Sequence, residues 1–457
     1  MLLVLRALRA LRGQFRLLFA LTECLYRASR LSFVAFVTFV NWTDDNLILS
    51  VAPPMRIACF GIGVILGRIQ TTYAILIFGG MTALFVAMTL SMLWQLRWVR
   101  RLPTLETLMA RKGPSPRPAP RCSVVIAARD EESRIEQTLR HLLAQRGVEL
   151  ELIVVDDRST DGTGEILRRL AKDDPRVQMR RVDVLPGGWL GKCHACHIGA
   201  SVATGDWILF TDADCWLKPD VIARAIAVAE QEKASHVTMA AGTVLASPAA
   251  RAWYLLFLIG IGGWFSRVNR DRRKSYVGVG AFNLVRAAAY RQCGGYEALR
   301  LTVVDDIKLG LLLSRAGQRT RAFLGAEDLE CHWGTTVGSM VKIMEKNYFA
   351  ALDYRSGVVV AGSVFVIVIF TMLVLGLSSG TVAGIAAGLS PFLLILPATV
   401  LAGRLGWSWP CATCVPFMLP VLLYTMLNST YVTLRQGGVR WRDTLYPLDI
   451  LRAGNIR

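Results

Sequence analysis

The chain has 457 residues, of which 53% are hydrophobic and only 19% charged, too apolar for an ordinary soluble protein and incompatible with a disordered chain or a small disulfide-stapled scaffold. Lys and Arg outnumber Asp and Glu by 52 to 34, for a formal net charge of +18. Such a balance suits nucleic acid, an anionic membrane surface or a phosphorylated substrate, and the long hydrophobic runs decide for a lipid bilayer and against nucleic acid. The ten cysteines are scattered, many within apolar stretches, as expected of reduced thiols.

Residues 1–101 read as a basic segment followed by transmembrane helices. Arg6, Arg9, Arg12 and Arg16 precede apolar residues in the manner of a signal peptide. Arg27 and Arg30 interrupt the run and no small-residue cleavage site is clear, so residues 1–30 are expected to lie as an amphipathic segment on the cytoplasmic membrane face. Leu31–Val40 is too short to cross, whereas Tyr73–Leu96 is uncharged and long enough. Arg97, Arg100 and Arg101 follow it, which places the next segment in the cytoplasm. The run 46–67, interrupted by Pro53, Pro54 and Arg56, is a weaker second crossing. Pro103, Pro114, Pro116, Pro118 and Pro120 make 102–121 a stiff, extended linker.

Residues 122–356 hold nearly all the acidic side chains and alternate strand-like with helix-like patterns. Cys122–Ala128, Leu152–Val155 and Trp207–Phe210 are short apolar runs of the buried-strand type, and Glu131–Gln145 and Asp161–Ala171 have helical spacing with charged faces. Strands alternating with helices predict an α/β domain with a mostly parallel sheet, whose ligands bind beyond the strand C-termini. Two apolar stretches, 252–265 with Trp253, Tyr254 and Trp264, and 337–356, have the length or the mixed polarity of helices lying in the membrane interface, with ordinary core helices as the alternative. From 357 to 434 the only charged residue is Arg404, and transmembrane spans are expected near 357–377, 381–403 and 409–434. Residues 435–457 read as a basic tail with Arg435, Arg440 and Arg442. Three full crossings would leave that tail outside while its charge argues for inside, so one segment is re-entrant or the tail is an exception.

Carboxylates follow the predicted strands three times. Asp130, Glu131 and Glu132 follow the first, Asp156, Asp157 and Asp161 the second, and Asp212 and Asp214 the third. In a parallel sheet those ends share one edge. An Asp-x-Asp pair suits a nucleotide diphosphate with Mg2+ or Mn2+, Asp214 holding the ion while Asp212 faces the ribose or shares it. The bland account of each carboxylate is a helix cap or a turn. Asp305 and Asp306 open an apolar helix; capping accounts for them, or one is a general base whose pKa its neighbour raises. Cys193-His194-Ala195-Cys196-His197 imitates half a zinc site but lacks a second pair at suitable spacing. The loop Gly187-Gly188-Trp189-Leu190-Gly191-Lys192 is better suited to presenting Lys192 to a diphosphate.

The run Asp156-Asp157-Arg158-Ser159-Thr160-Asp161-Gly162-Thr163, then Gly188 to Lys192, then Thr211-Asp212-Ala213-Asp214, resembles glycosyltransferase family 2 over about residues 120–350. The likeness is greatest to membrane-bound members acting on lipid acceptors, of the ceramide glucosyltransferase, hopanoid and carotenoid types. It implies a GT-A-type, Rossmann-like domain and an inverting transfer from a UDP-sugar to a hydroxyl or carboxyl of a membrane lipid. It further implies that Glu131 and Asp157 contact uracil and ribose, that Asp212 and Asp214 bind Mg2+ or Mn2+, and that Asp306 is the catalytic base, with Asp305 in place of the family's Glu. The family's Gln-x-x-Arg-Trp motif is missing; Lys346, in Met344-Glu345-Lys346-Asn347-Tyr348-Phe349, stands in for its Arg against the diphosphate. Without that motif's Trp, transfer of one sugar or a few is expected rather than a growing polymer. The enzyme would sit in a bacterial inner membrane with its catalytic domain in the cytoplasm. A processive polysaccharide synthase is the alternative within the family. A transporter with a nucleotide-sensing domain is the alternative outside it, opposed by the lack of charge in the C-terminal spans.

Overall fold

The computed structural model describes residues 41–43, 46–48, 72–73, 75–94, 119–271 and 275–456. The chain divides into two compact units, Met1–Gly80 and Met81–Arg457. In the first, Asn41–Thr43 pairs antiparallel with Asn46–Ile48. The expected amphipathic segment 1–30, the run 31–40, residues 49–67 of the weaker crossing and residues 102–118 of the linker lie outside the described residues. Helix α1, Ile75–Trp94, is long and apolar enough to cross a membrane.

In the second unit an α/β domain follows the alternation expected. Its elements are β1 Arg121–Ala128, α2 Ile135–Leu143, β2 Glu149–Asp157, α3 Thr163–Asp173, β3 Val177–Val182, α4 Gly191–Ser201, β4 Trp207–Thr211 and β5 Cys215–Leu217. They continue as α5 Val221–Gln231, β6 His236–Thr243, α6 Pro248–Val268, β7 Asn283–Arg286, α7 Ala287–Gln292, α8 Asp305–Arg315, β8 Thr320–Cys331 and α9 Val337–Ala351. Eight strands form one sheet in the order β3-β2-β1-β4-β7-β6-β8-β5. β1 runs parallel to β2 and β4, β2 to β3, and β6 to β8, while β7 and β5 run antiparallel to their neighbours.

The apolar runs become strands because both faces of the sheet are covered. Val124 and Ile126 face a core built with Ile135, Leu139 and Leu142 of α2, Leu167 of α3 and Ile222 of α5. Val125, one residue out of phase, faces the opposite core with Leu190, Cys193 of α4, Phe210 and Leu309 of α8. α2 is held by that buried stripe, with Glu136 and Arg140 paired at 2.7 Å on its outer face.

α10 spans Ser356–Ser378. The next apolar segment, Val382–Arg404, is α11 (Val382–Leu389), a tight turn Ser390–Leu394 containing Pro391, and α12 (Ile395–Arg404). α13 is Pro410–Thr413, and the last apolar segment, Val415–Gln436, ends in α14 (Leu419–Gln436). Val360 and Val374 of α10 are each 61% exposed, on a helix long and apolar enough to cross a membrane.

The two stretches expected at the membrane interface are helices, and among their described side chains Trp253, Tyr254, Met340 and Met344 are buried. Trp253 and Tyr254 of α6 meet Met340 and Met344 of α9 in one cluster, and Leu255, Leu256 and Ile259 pack with Leu401, Cys411 and Leu419. The length and aromatic content that suggested an interface serve a protein core between the sheet and the C-terminal helices. α9 is clamped along α14: Ser429 Oγ donates to the Glu345 carbonyl (2.7 Å) and accepts from the Phe349 N–H (3.0 Å).

The expected basic tail is folded. α14 ends at Gly437, whose φ of +68° suits glycine. A hairpin of β9 (Gly438–Trp441) and β10 (Thr444–Pro447) follows, then α15 (Leu448–Ala453). Val439, Tyr446, Leu448 and Leu451 join the core containing Val303, Leu309 and Phe349, so the chain returns to the α/β domain it left at α10. Lys308 of α8 ties down the terminus, donating to Asp353 Oδ1 (2.9 Å) and to the Ile456 carbonyl. Charge counting missed this because a short hairpin's alternation is weak and its burial is supplied by residues far away in sequence.

Candidate functional site

The parallel strands β1, β2 and β4 end together, and their following loops are bonded to one another. Asp130 Oδ1 accepts from the Thr160 N–H (2.8 Å), and the Glu131 N–H donates to Thr163 Oγ1 (2.8 Å). Asp156, first of the second acidic run, is structural: it is fully buried, pairs with Arg181 at 2.6 Å and accepts from the Ser159 N–H at 3.0 Å. Asp157 faces the rim, 4% exposed, and holds Arg158 through contacts of 2.7 and 3.0 Å. The start of α4 comes so close that a Cβ on Gly191 would lie 2.2 Å from Asp157 Oδ2, which is why a glycine stands there.

Lys192, in the first turn of α4, reaches across the rim. Its Nζ lies 2.6 Å from Asp212 Oδ1 and 3.9 Å from Asp305 Oδ1, joining the acids after β4 to those opening α8. Burial works against its ammonium, but the Asp212 and Asp305 carboxylates outweigh it and hold its pKa well above the ordinary lysine value. Gly280 sits between Asp212 and Asp306: its N–H donates to Asp306 Oδ2 (2.9 Å), and a Cβ there would come within 2.7 Å of Asp212 Oδ2.

Asp306 is fixed from several sides. Its Oδ1 accepts from the Ile307 N–H (2.8 Å), and its backbone carbonyl accepts from Asn283 Nδ2 (3.4 Å), whose own Oδ1 is bound by buried His236 at 2.8 Å. Burial, then the charge of Asp305, pushes the Asp306 carboxyl up to about 6, against the opposing pull of Lys192. Asp305 Oδ2 accepts from the Tyr296 hydroxyl (2.9 Å).

Asp214 lies beyond Asp212, its carboxyl likewise raised to about 6 by burial and by the Asp212 charge, with Arg134 at 3.8 Å opposing. Asp212 and Asp214 present the hard oxygen donors that Mg2+ and Mn2+ prefer, and a phosphate-bound ion takes one or two such carboxylates. The donor atoms of Cys215 and Cys331 also lie within 4.8 Å of that of Asp214. The Cys331 sulfur and burial hold the Cys215 thiol well above its ordinary pKa, so it is a poor ligand for either ion.

Glu131 and Lys346 complete the set. Burial raises the Glu131 carboxyl while Arg442, at 2.9 Å, counters it. Lys346 of α9 places its Nζ 4.0 Å from the Trp441 ring centre, and burial, then repulsion from Lys192, pulls its pKa down to about 8. The zinc-like sequence is split across α4: Cys193 and Cys196 are buried, with Cys193 Sγ against the Thr302 carbonyl (3.4 Å), while the His194 and His197 rings lie against Trp189 at 5.3 and 5.0 Å.

One rim thus gathers Glu131, Asp157, Lys192, Asp212, Asp214, Asp305, Asp306 and Lys346. Sequence reasoning missed Arg134, Tyr296, Gly280, Trp441 and Arg442. Arg134 carries a faint signal, three residues after Glu131 at a helix start; the others reach the rim only through the tertiary fold.

Residues 123–294 match the family model described as glycosyl transferase family 2. The chain is similar to a 4,4'-diaponeurosporenoate glycosyltransferase of Staphylococcus haemolyticus, 27% identical over 208 residues, covering 44% of this chain and 54% of that protein. A protein of the same name from Staphylococcus aureus is 38% identical over 101 residues, 22% of this chain and 26% of the relative. The chain therefore spans about half the length, or less, of the curated relatives it matches. Among solved structures, the mannosyltransferase PcManGT of Pyrobaculum calidifontis, in complex with GDP-Man and Mn2+, aligns with a TM-score of 0.42 at 17% identity, covering 77% of this chain and 98% of that one.

Proposed function

The domain matched at residues 123–294 belongs to glycosyltransferase family 2, an inverting family, and from that premise we propose that the chain moves a sugar from a UDP-sugar to the hydroxyl or carboxyl of an apolar, membrane-held acceptor. The observation that carries the proposal is the bridge at Lys192 and Gly280, which sets the Asp-x-Asp pair beside the Asp305-Asp306 pair. Inversion needs a base on one side of the anomeric carbon and a stabilised leaving group on the other.

In this reading Asp306 takes the proton of a hydroxyl acceptor, whereas a carboxyl acceptor attacks already ionised. Both Asp306 oxygens already accept a backbone N–H, which fixes the carboxylate plane while leaving lone pairs free. Asp305, oriented by Tyr296, holds Lys192 at the rim, and Lys192 and Lys346 stabilise the charge that builds on the departing diphosphate. Asp157 and Glu131 orient the nucleoside. Asp214 with Asp212 would hold Mg2+ or Mn2+, which when bound supplies further positive charge to the leaving group.

The relatives' names specify 4,4'-diaponeurosporenoate, and the exposed apolar flanks of α1 and α10 suit an acceptor of that character. The chain leaves the α/β domain at α10 and returns to it through α14, so an even number of its three C-terminal apolar segments crosses completely. The proline-broken 382–404 segment is the one that falls short. The basic flank after α1 and the return of the tail both favour the α/β domain on the cytoplasmic side of the membrane.

The test supplies detergent-purified protein with labelled UDP-glucose, UDP-galactose and UDP-N-acetylglucosamine and a host lipid extract, with mass spectrometry of the product. One added sugar on an apolar molecule is expected; a ladder of sugars favours a processive synthase, and no UDP release with any donor overturns the proposal. The pH dependence of kcat/KM follows from the site. Activity should rise as Asp306 loses its proton through about 6 and fall as Lys346 loses its own through about 8, a bell between the two. Lys346→Arg, charged at all these pH values, should remove the alkaline limb; an unchanged limb would take Lys346 out of donor binding.

A further inference from the structure

The C-terminal hairpin touches three of the segments assigned above to the donor: the loop after β1, the start of α4 and α9. At its two-residue turn, Arg442 Nη2 lies 2.9 Å from Glu131 Oε1 and Asp443 Oδ2 lies 2.9 Å from Arg129 Nη2. These two ion pairs have opposite polarity, a basic and an acidic residue of the turn meeting an acidic and a basic residue of the loop after β1. The Tyr446 hydroxyl accepts from the Gly191 N–H (3.3 Å) at the start of α4, and the Trp441 ring covers Lys346 Nζ. Beyond the turn, α15 and the Lys308 contacts anchor the segment to α8.

Backbone strain is also present at this rim. Asp130 (φ +54°), Arg158 (φ +59°) and Arg442 (φ +52°) are all left-handed without being glycine. Each such residue is strained and persists only where its surroundings over-determine it. A glycine in the turn would relieve Arg442, so its side chain carries the advantage of the position.

Resting on the proposed donor site, we infer that Arg442, at the turn of the hairpin 438–447, lines the nucleotide pocket and binds the donor nucleotide. Arg442 is 41% exposed by side chain beside a carboxylate assigned to the nucleoside. When the nucleoside takes up Glu131, the guanidinium is released next to an anionic ligand, for which its planar fork of donors is suited. Arg442 thus adds to the lysines a cation supplied by residues beyond the last apolar segment. The matched family segment, 123–294, does not contain it.

The experiment measures UDP affinity in Mn2+ by calorimetry, and donor KM and kcat, on the full-length protein in detergent. Arg442→Ala should weaken UDP binding and raise donor KM by about 10- to 100-fold, as expected for loss of a charged hydrogen bond, with kcat changed by less than about threefold. Arg442→Lys should recover part of the loss. Arg440→Ala removes the same charge from an exposed position on the same hairpin and should leave both constants unchanged. Asp443→Ala opens the outer ion pair but keeps Arg442. It should bind UDP as the parent does, whereas a loss equal to that of Arg442→Ala would show that docking of the hairpin alone matters and would overturn the assignment. Parent-like UDP affinity and KM in Arg442→Ala would overturn it equally. Failure of the parent protein to bind UDP at all would instead remove the donor reading on which the assignment rests, and the assignment with it.

Discussion

Asp306→Asn is expected to lower sugar transfer by about 10²- to 10⁴-fold, the contribution of a positioned general base, while UDP binding survives. Asparagine has the shape of aspartate but cannot take a proton in this range. The environment makes the comparison sharp. Burial and the neighbouring Asp305 raise the Asp306 carboxyl to about 6, which brings its basicity close to what a reaction near neutral pH needs. The substitution also turns one amide nitrogen toward an N–H, either that of Gly280 or that of Ile307, so a modest loss of stability should accompany the loss of turnover. The rate of transfer and the UDP affinity are measured on the same preparation. Near-normal turnover would take Asp306 out of the base role, and loss of UDP binding with the activity would mark it as structural.

Asp214→Ala should abolish the dependence of nucleotide affinity on Mn2+. In the parent protein UDP is expected to bind at least about tenfold more tightly with the ion than after chelation, by the energetics of a charged contact. The variant should bind UDP with the chelated affinity under both conditions. Asp212 is less able to hold the ion alone, since Lys192 occupies its Oδ1 at 2.6 Å. The pKa of about 6 at Asp214 gives the sign of the pH effect: the ion is held above that value and released as pH falls through it, because protonation removes the ligand. Calorimetric titration with and without Mn2+ decides the matter, and a variant that still responds to the ion would end the metal assignment at Asp214.

Several features of the molecule are legible in its sequence. Cys122–Ala128, Leu152–Val155 and Trp207–Phe210 are strands within a residue or a few of the bounds expected, because a strand buried on both faces writes itself as an unbroken apolar run. The acids after those strands were predicted to converge because parallel strands end on a common edge. The apolar segments 356–378, 382–404 and 415–436 were equally plain, since a bilayer asks only for length and lack of charge. Harder to read were α6 and α9, whose aromatic and methionine side chains suit an interface or a core equally well until their neighbours are known.

What the amino-acid order determined by itself is therefore local or periodic: the α/β alternation, the acidic strand ends, and the apolar segments. Contacts between residues far apart in sequence were decided only by the tertiary structure. Lys192 binds Asp212 and approaches Asp305, more than a hundred residues apart from it in the latter case, and Arg442 meets Glu131 across the whole catalytic domain. Such pairings leave no periodic trace, because each depends on one side chain and one loop geometry rather than on a repeated pattern of burial. The basic tail is the clearest instance: its charge bore only on the side of the membrane it occupies, and the packing of Val439, Tyr446 and Leu451 on the domain shows which acid it meets.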